Sequence, residues 1–194
     1  MCGMKFYDII QRDCSIRPPK AASLLIIGAF MGGISMPSVS LAAPKAIGTF
    51  QYWTVYADKS GTAPICYAMS KPRKKLPVGA KRGEIFLTIT HRVGDGVRYE
   101  PSLRVGYPIS PKSDPMAQIE GDRFRFFSGA HAKTGADEWA WLEEIDQGTR
   151  FVEALRKGST LSFSATSQRG TKTKDTYSLM GFTRAMKALD EACP

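Results

Sequence analysis

Leu161-Ser162-Phe163-Ser164-Ala165-Thr166 alternates apolar and small polar residues without a break, and the residues around it decide the fold. A period of two is the pattern of a half-buried strand. Gln168-Arg169-Gly170-Thr171 follows as a turn, with Gly170 free to take a positive φ. A second strand, rich in Thr and Tyr, is expected over residues 173–178. The period then changes. Phe182, Ala185, Met186, Leu189 and Ala192 recur at helical spacing, so a helix with one apolar face is predicted up to Cys193-Pro194. A hairpin, a docking helix and a terminal cysteine make a clasp that closes a domain.

Working backwards from this clasp, residues 149–157 read as a short helix. Thr149 is its candidate N-cap, Gly158 its candidate C-terminal glycine, and Phe151, Val152 and Leu155 its apolar side. Residues 138–142 carry Trp139 and Trp141 on one face of a strand. Residues 116–119 and 123–128 flank Glu120-Gly121-Asp122 as a hairpin. Leu103, Val105 and Tyr107 alternate in another strand. Ile85, Leu87 and Ile89 alternate against Phe86, Thr88 and Thr90 in one before it. Residues 49–56 and 65–69 are expected to pair across the turn Asp58-Lys59-Ser60-Gly61, and residues 43–48 are read as a loose leader. Residues 71–83 are read as a loop. The expectation is an all-β protein of eight or nine short strands. It would form an antiparallel β-sandwich or partly open barrel with a short helix and a C-terminal amphipathic helix.

The first forty residues follow another logic. Lys5, Arg12, Arg17 and Lys20 precede an uncharged run over residues 21–34 that contains Leu24, Leu25, Ile26, Ile27, Phe30 and Met31. Ser40 and Ala42 then stand at −3 and −1 of a small-residue cleavage site. These are the three parts of a secretory signal peptide. Residues 1–42 are therefore expected to be removed on Sec export, since no twin arginine is present. Residues 43–194 would remain as one β-rich domain, periplasmic, secreted or attached to the outer envelope, with no transmembrane segment. An uncleaved anchor is the alternative, because residues 21–43 are uncharged and long enough to span a bilayer.

Cleavage removes Cys2 and Cys14 and leaves Cys66 and Cys193. One thiol pair in an oxidising compartment defaults to a disulfide. Closing a loop of 127 positions is worth about 5 kcal/mol in the chain-entropy model. A metal site is the weaker reading: no Cys-x-x-Cys is present, and His91 and His131 are isolated. No metal or cofactor is expected.

No catalytic constellation emerges. With two histidines in 194 residues and no Gly-x-Ser-x-Gly, His-Glu-x-x-His or phosphate loop, the chain is read as a non-enzyme. The acidic group Asp137, Glu138, Glu143, Glu144 and Asp146 lacks the oxygen spacing of a calcium loop and reads as a solvated face. Trp53, Trp139 and Trp141 are more simply core or sheet surface than a binding cleft. The strongest functional candidate lies in residues 71–82, where six of twelve residues are cations: Lys71, Arg73, Lys74, Lys75, Lys81 and Arg82. Such a segment attracts anions over about a Debye length of roughly 10 Å. The candidate partners are anionic lipid, lipopolysaccharide or another anionic glycan. Nucleic acid is not expected, for want of a stacking platform among the charges. The bland reading is a solvated loop.

Several motifs together resemble the invasion-associated locus B family of alphaproteobacteria. They are Phe50-x-x-Trp53-Thr54-Val55, Cys66-Tyr67 and Arg82-Gly83-Glu84-Ile85-Phe86, then Ser167-x-Arg169-Gly170-Thr171, Asp175-Thr176-Tyr177-Ser178-Leu179-x-Gly181-Phe182 and Cys193. The resemblance implies an exported, mostly β envelope protein, in a family whose founding members are associated with bacterial invasion of host cells. It brings no catalytic residues with it. Family members often carry a cysteine where this chain has Ala57, and a later Gly-Cys pair that is absent here, which implies a branch with the single bridge Cys66 to Cys193. The leading functional expectation is an envelope protein that binds an anionic surface or a protein partner and contributes to host-cell invasion. An envelope-integrity factor without host contact and a small periplasmic hydrolase are the alternatives.

Overall fold

A computed structural model describes residues 44–130 and 136–194. The expected hairpin is its most regular part. β10 (Thr160–Thr166) and β11 (Lys172–Ser178) pair antiparallel along their whole length, with Leu161, Phe163 and Ala165 buried and Gly170 at φ 82° in the turn. α2 (Phe182–Ala192) buries Phe182, Ala185, Met186 and Leu189, the stripe its spacing predicted.

Before this clasp come β1 (Lys45–Phe50), β2 (Trp53–Asp58), β3 (Ile65–Ser70), β4 (Lys74–Leu76), β5 (Phe86–Arg92) and β6 (Val97–Arg104). Then follow β7 (Met116–Ile119), β8 (Asp122–Ser128), β9 (Trp139–Leu142) and the helix α1 (Gly148–Lys157). Among the described residues, eleven strands form one antiparallel sheet in the order β1-β2-β3-β5-β6-β9-β8-β7-β10-β11-β4. It turns a corner at β8, whose first half pairs with β7 and whose last three residues pair with β9. β3 and β4 lie far apart in that order, yet only Lys71-Pro72-Arg73 joins them. Three residues reach across at most about 14 Å, so the sheet must curl until its ends approach. The Trp53 indole confirms the approach by donating to the Ser178 carbonyl at 3.1 Å, from β2 to the end of β11. The result is the expected mostly antiparallel β architecture, curled but open, with one short and one C-terminal helix.

The inner faces and helices enclose the core. Phe151 of α1 meets Phe124 and Phe126 edge-on at 4.9 and 5.7 Å, and Phe163 meets Phe126 at 5.4 Å. Phe182 of α2 packs on Trp53 at 4.8 Å. Such edge-to-face pairs add about 0.5–1.5 kcal/mol each to the burial of their surface. The structure joins Cys66 of β3 to Cys193 just after α2, with Cα atoms 6.0 Å apart, so the helix is tied to the sheet it covers.

Several local expectations need correction. Residues 45–48, expected in a leader, belong to the edge strand β1, and the single strand expected over residues 49–56 is broken by a turn at residues 51–52. β1 is mostly exposed and shows no apolar alternation, and Gln51 at φ 56° makes the tight turn into β2. β6 begins at Val97, before the residues whose alternation is visible. Tyr99 at φ 54° and Pro101 interrupt its pattern, and the ladder with β5 shifts register there. Thr149 does not cap α1; Gln147 occupies the cap position without a side-chain bond, and Gly158 is extended rather than left-handed. The segment 71–83 contains β4.

Candidate functional site

β4 is where the basic segment meets the sheet. Lys74, Lys75 and Leu76 pair with Thr176, Asp175 and Lys174 of β11, and the Arg73 amide donates to the Thr176 carbonyl at 2.7 Å. Two lysines in a three-residue strand fit an edge, where charge discourages pairing with another chain. Lys71, Arg73, Lys74, Lys75 and Lys81 are all exposed. On β11 the outward positions are Lys172, Lys174, Thr176 and Ser178, while Thr173, Asp175 and Tyr177 are buried. The surface therefore extends across the strand boundary, and Lys172 and Lys174 join it. Local reading of the sequence missed these two, although their parity opposite Thr173 and Tyr177 was visible.

Arg82 is a correction to the candidate anion-binding set. Its guanidinium forks onto Asp175, Nη1 to Oδ1 at 2.7 Å and Nη2 to Oδ2 at 2.6 Å, and both side chains are almost fully buried. Nε and Nη2 also donate to the Val105 carbonyl at 3.0 and 2.8 Å, and the group lies 5.0 Å from the Tyr107 ring centroid. A planar fork on a carboxylate is the strong geometry for such a pair. Arg82 is a pin that fixes the far end of the segment to β11, and is unavailable to a ligand. The same pairing occupies Asp175, the single acid of β4 and β11.

The remaining cations divide between two ends. Arg73 lies over the Tyr52 ring at 4.6 Å, and with Lys71, Pro72, Thr54, Tyr56 and Met69 it lines a surface groove of about 250 Å³. Tyr56 stacks on Tyr67 at 5.1 Å beside it. Burial first, and then the neighbouring Tyr56 and Asp58, push the Tyr67 hydroxyl above its ordinary pKa. At the other end of β4, residues 77–80 make a turn in which the Ala80 amide donates to the Pro77 carbonyl at 3.4 Å and Gly79 takes φ 79°. Val78 at its apex is 86% exposed.

The other candidates fall elsewhere. His91 is fully buried opposite Cys66 in the ladder. Its Nδ1 donates to the Cys193 carbonyl at 3.3 Å, which leaves Nε2 without a hydrogen bond and 3.8 Å from Asp190 Oδ1. Burial drives its pKa below the usual histidine value, aided by Arg98, while the Cys193 bond and Asp190 oppose the shift. A neutral imidazole sealed beside the bridge has no access to a substrate. His131 lies outside the described residues, as do residues 1–43. Trp53 is core; Trp139 and Trp141 stack at 6.0 Å, with Trp141 also stacked on Phe127 at 5.8 Å. Glu138, one of the acidic group, pairs with Arg104 at 3.0 Å. Among the described residues, no group of three or more His, Cys, Asp or Glu could hold a metal. Nor is any described helix long and apolar enough to cross a membrane.

Fold and surface together define a disulfide-bridged, curled antiparallel β protein with a cationic edge and a clasp of hairpin and helix. The family model described as Invasion associated locus B (IalB) protein matches residues 142–190, from the end of β9 through α1, β10 and β11 into α2. It is the family whose motifs the sequence resembles, and the matched stretch contains Asp175, Lys172 and Lys174 but not residues 71–83. No curated protein and no solved structure matches the chain.

Proposed function

We propose that this chain is a non-enzymatic envelope protein of the invasion-associated locus B type, exported by the Sec route, that binds an anionic surface through the β4–β11 edge. One observation carries the reading. Lys71, Arg73, Lys74, Lys75, Lys81, Lys172 and Lys174 are exposed around one edge, and its single carboxylate is consumed by Arg82. Exposed charges of one sign raise the local concentration of the opposite sign. The disulfide agrees with export, since such bonds persist in oxidising compartments. A contribution to host-cell invasion, through attachment to anionic lipid or glycan, belongs to the same proposal.

The test is binding of immobilised heparin and of anionic vesicles across a salt series. Micromolar affinity, about 8 kcal/mol, is expected at low salt and should vanish by a few hundred millimolar as the charges are screened. Arg73→Ala/Lys74→Ala/Lys75→Ala should weaken it while leaving the melting temperature in place, because exposed charges contribute little to folding. Equal binding by the triple variant at low salt would make the segment a solvated connection only.

A further inference from the structure

The turn over residues 77–80 joins two properties that a solvated loop does not need together. Its apex, Val78, is the most exposed of the large apolar side chains described, and Pro77, Gly79 and Ala80 beside it are also exposed and uncharged. Lysines stand on both sides, Lys75 just before and Lys81 just after. The sheet register brings up more charge. β4 runs antiparallel to β11, so its tip end lies opposite Lys174, and the chain leaving Leu76 heads towards Lys172 and the turn containing Arg169. No acid occupies β4, the turn or an outward position of β11. Arg82, pinned to Asp175 and the Val105 carbonyl, holds the chain that returns from the turn against the sheet.

We propose that residues 77–80 form a wedge that enters the interface of an anionic phospholipid bilayer, with Val78 among the headgroup-proximal carbons of the acyl chains and Lys75, Lys81, Lys172 and Lys174 on the headgroup phosphates. This rests on the anionic-surface reading above and narrows it to lipid. An apolar tip has no use on a hydrated glycan, whereas at a membrane it adds burial to charge attraction, the combination that holds peripheral proteins at a bilayer. The turn geometry suits the task. Gly79 supplies the positive φ that sets Val78 at the apex, so the tip is presented without ordering a flexible loop.

Position 78 itself is the reporter. Vesicles of phosphatidylglycerol and phosphatidylcholine should blue-shift the difference emission between Val78→Trp and the unsubstituted protein. Lipids brominated near the headgroup end of the acyl chain should quench it, and neutral vesicles should do neither. Val78→Asn, which removes the apolar side chain without adding charge, should lower partitioning into anionic vesicles about tenfold, the share expected for one buried valine, while eluting from heparin at unchanged salt. Lys75→Ala/Lys81→Ala should reduce both. An unshifted emission, or unimpaired vesicle binding by Val78→Asn, overturns the wedge. If heparin is still bound in that case, the anionic-surface reading survives; if neither probe is bound, both fail.

Discussion

Replacing Arg82 with Ala removes the positive half of a pair whose other half cannot reach water. Asp175 is 1% exposed, and the fork from Arg82 supplies both of its charge-assisted bonds. The variant leaves a carboxylate buried without its cation, a change that costs about 3–5 kcal/mol. It also orphans the Val105 carbonyl and exposes the Tyr107 ring, so the upper end of that range is expected. For a chain of this size that corresponds to a melting-temperature loss of roughly 10–20 °C. Lys in place of Arg keeps the charge but cannot fork, and should fall between the two. The paired variant Arg82→Met/Asp175→Leu removes both charges and should recover most of the loss, because apolar replacements of buried pairs are often near neutral. Urea unfolding with a common m-value measures all four proteins. A loss under about 1 kcal/mol for Arg82→Ala, or a double variant no better than the single one, would refute the pin. Binding supplies a second readout: if the pin positions the tip, Arg82→Lys should weaken anionic-vesicle binding although the net charge is unchanged.

Three further outcomes follow from buried groups. Burial lowers the His91 pKa, so the unfolded chain takes up the imidazole proton first, near pH 6.5, and stability should decline as the pH falls below that value. Asp190 faces the ring and is itself approached by Arg98, Arg156 and the Tyr99 hydroxyl, so the comparison to make is with His91→Phe, which should flatten this part of the profile. Cys193→Ser should cost about 2–5 kcal/mol, and non-reducing peptide maps should contain the Cys66–Cys193 pair in the unsubstituted protein. The Tyr177 hydroxyl is buried with no hydrogen-bond partner, and its burial, with Asp175 nearby, raises its pKa well above the usual value. Tyr177→Phe should therefore be neutral or stabilising by up to about 1 kcal/mol in thermal unfolding, since it removes an unsatisfied group.

What could be read in the sequence was whatever carried a strong period. β10, β11 and α2 bury one face against a deep core, so alternation gave way to helical spacing at the right residues. β1 and β4 were hidden because edge strands need little apolar surface, and β4 is held by β11 rather than by its own composition. β6 was half visible, since Tyr99 and Pro101 break its pattern where the backbone bulges. The cationic segment was legible as charge, but its division was not. Arg82 and its neighbour Lys81 look alike until Asp175, 93 residues away, claims one of them. A signal existed, because an acid at the inward parity of Thr173 and Tyr177 demands a cation, and Arg82 belongs to the same set of motifs.

Charge on an edge strand has an ordinary purpose, and that purpose does not account for this edge. Unpaired strand edges invite aggregation, and short length, bulges and lysines each blunt them. The sheet has two open ends, which allows a comparison within one molecule. β1 is six residues long, carries one cation, Lys45, and is disrupted by a bulge between Ala46 and Gly48. β4 is only three residues long, so its length already protects it, yet two of the three are lysines. The surplus lies off the edge itself. Lys71 and Arg73 precede it, Lys81 follows it, and Lys172 and Lys174 stand on a strand that is paired on both sides. None of these five blocks a neighbouring strand, and all add repulsion to one region of the fold. Clustering them without a carboxylate costs stability unless an external anion relieves it. That imbalance between the two ends is the physical reason to look for the ligand at β4 and not at β1.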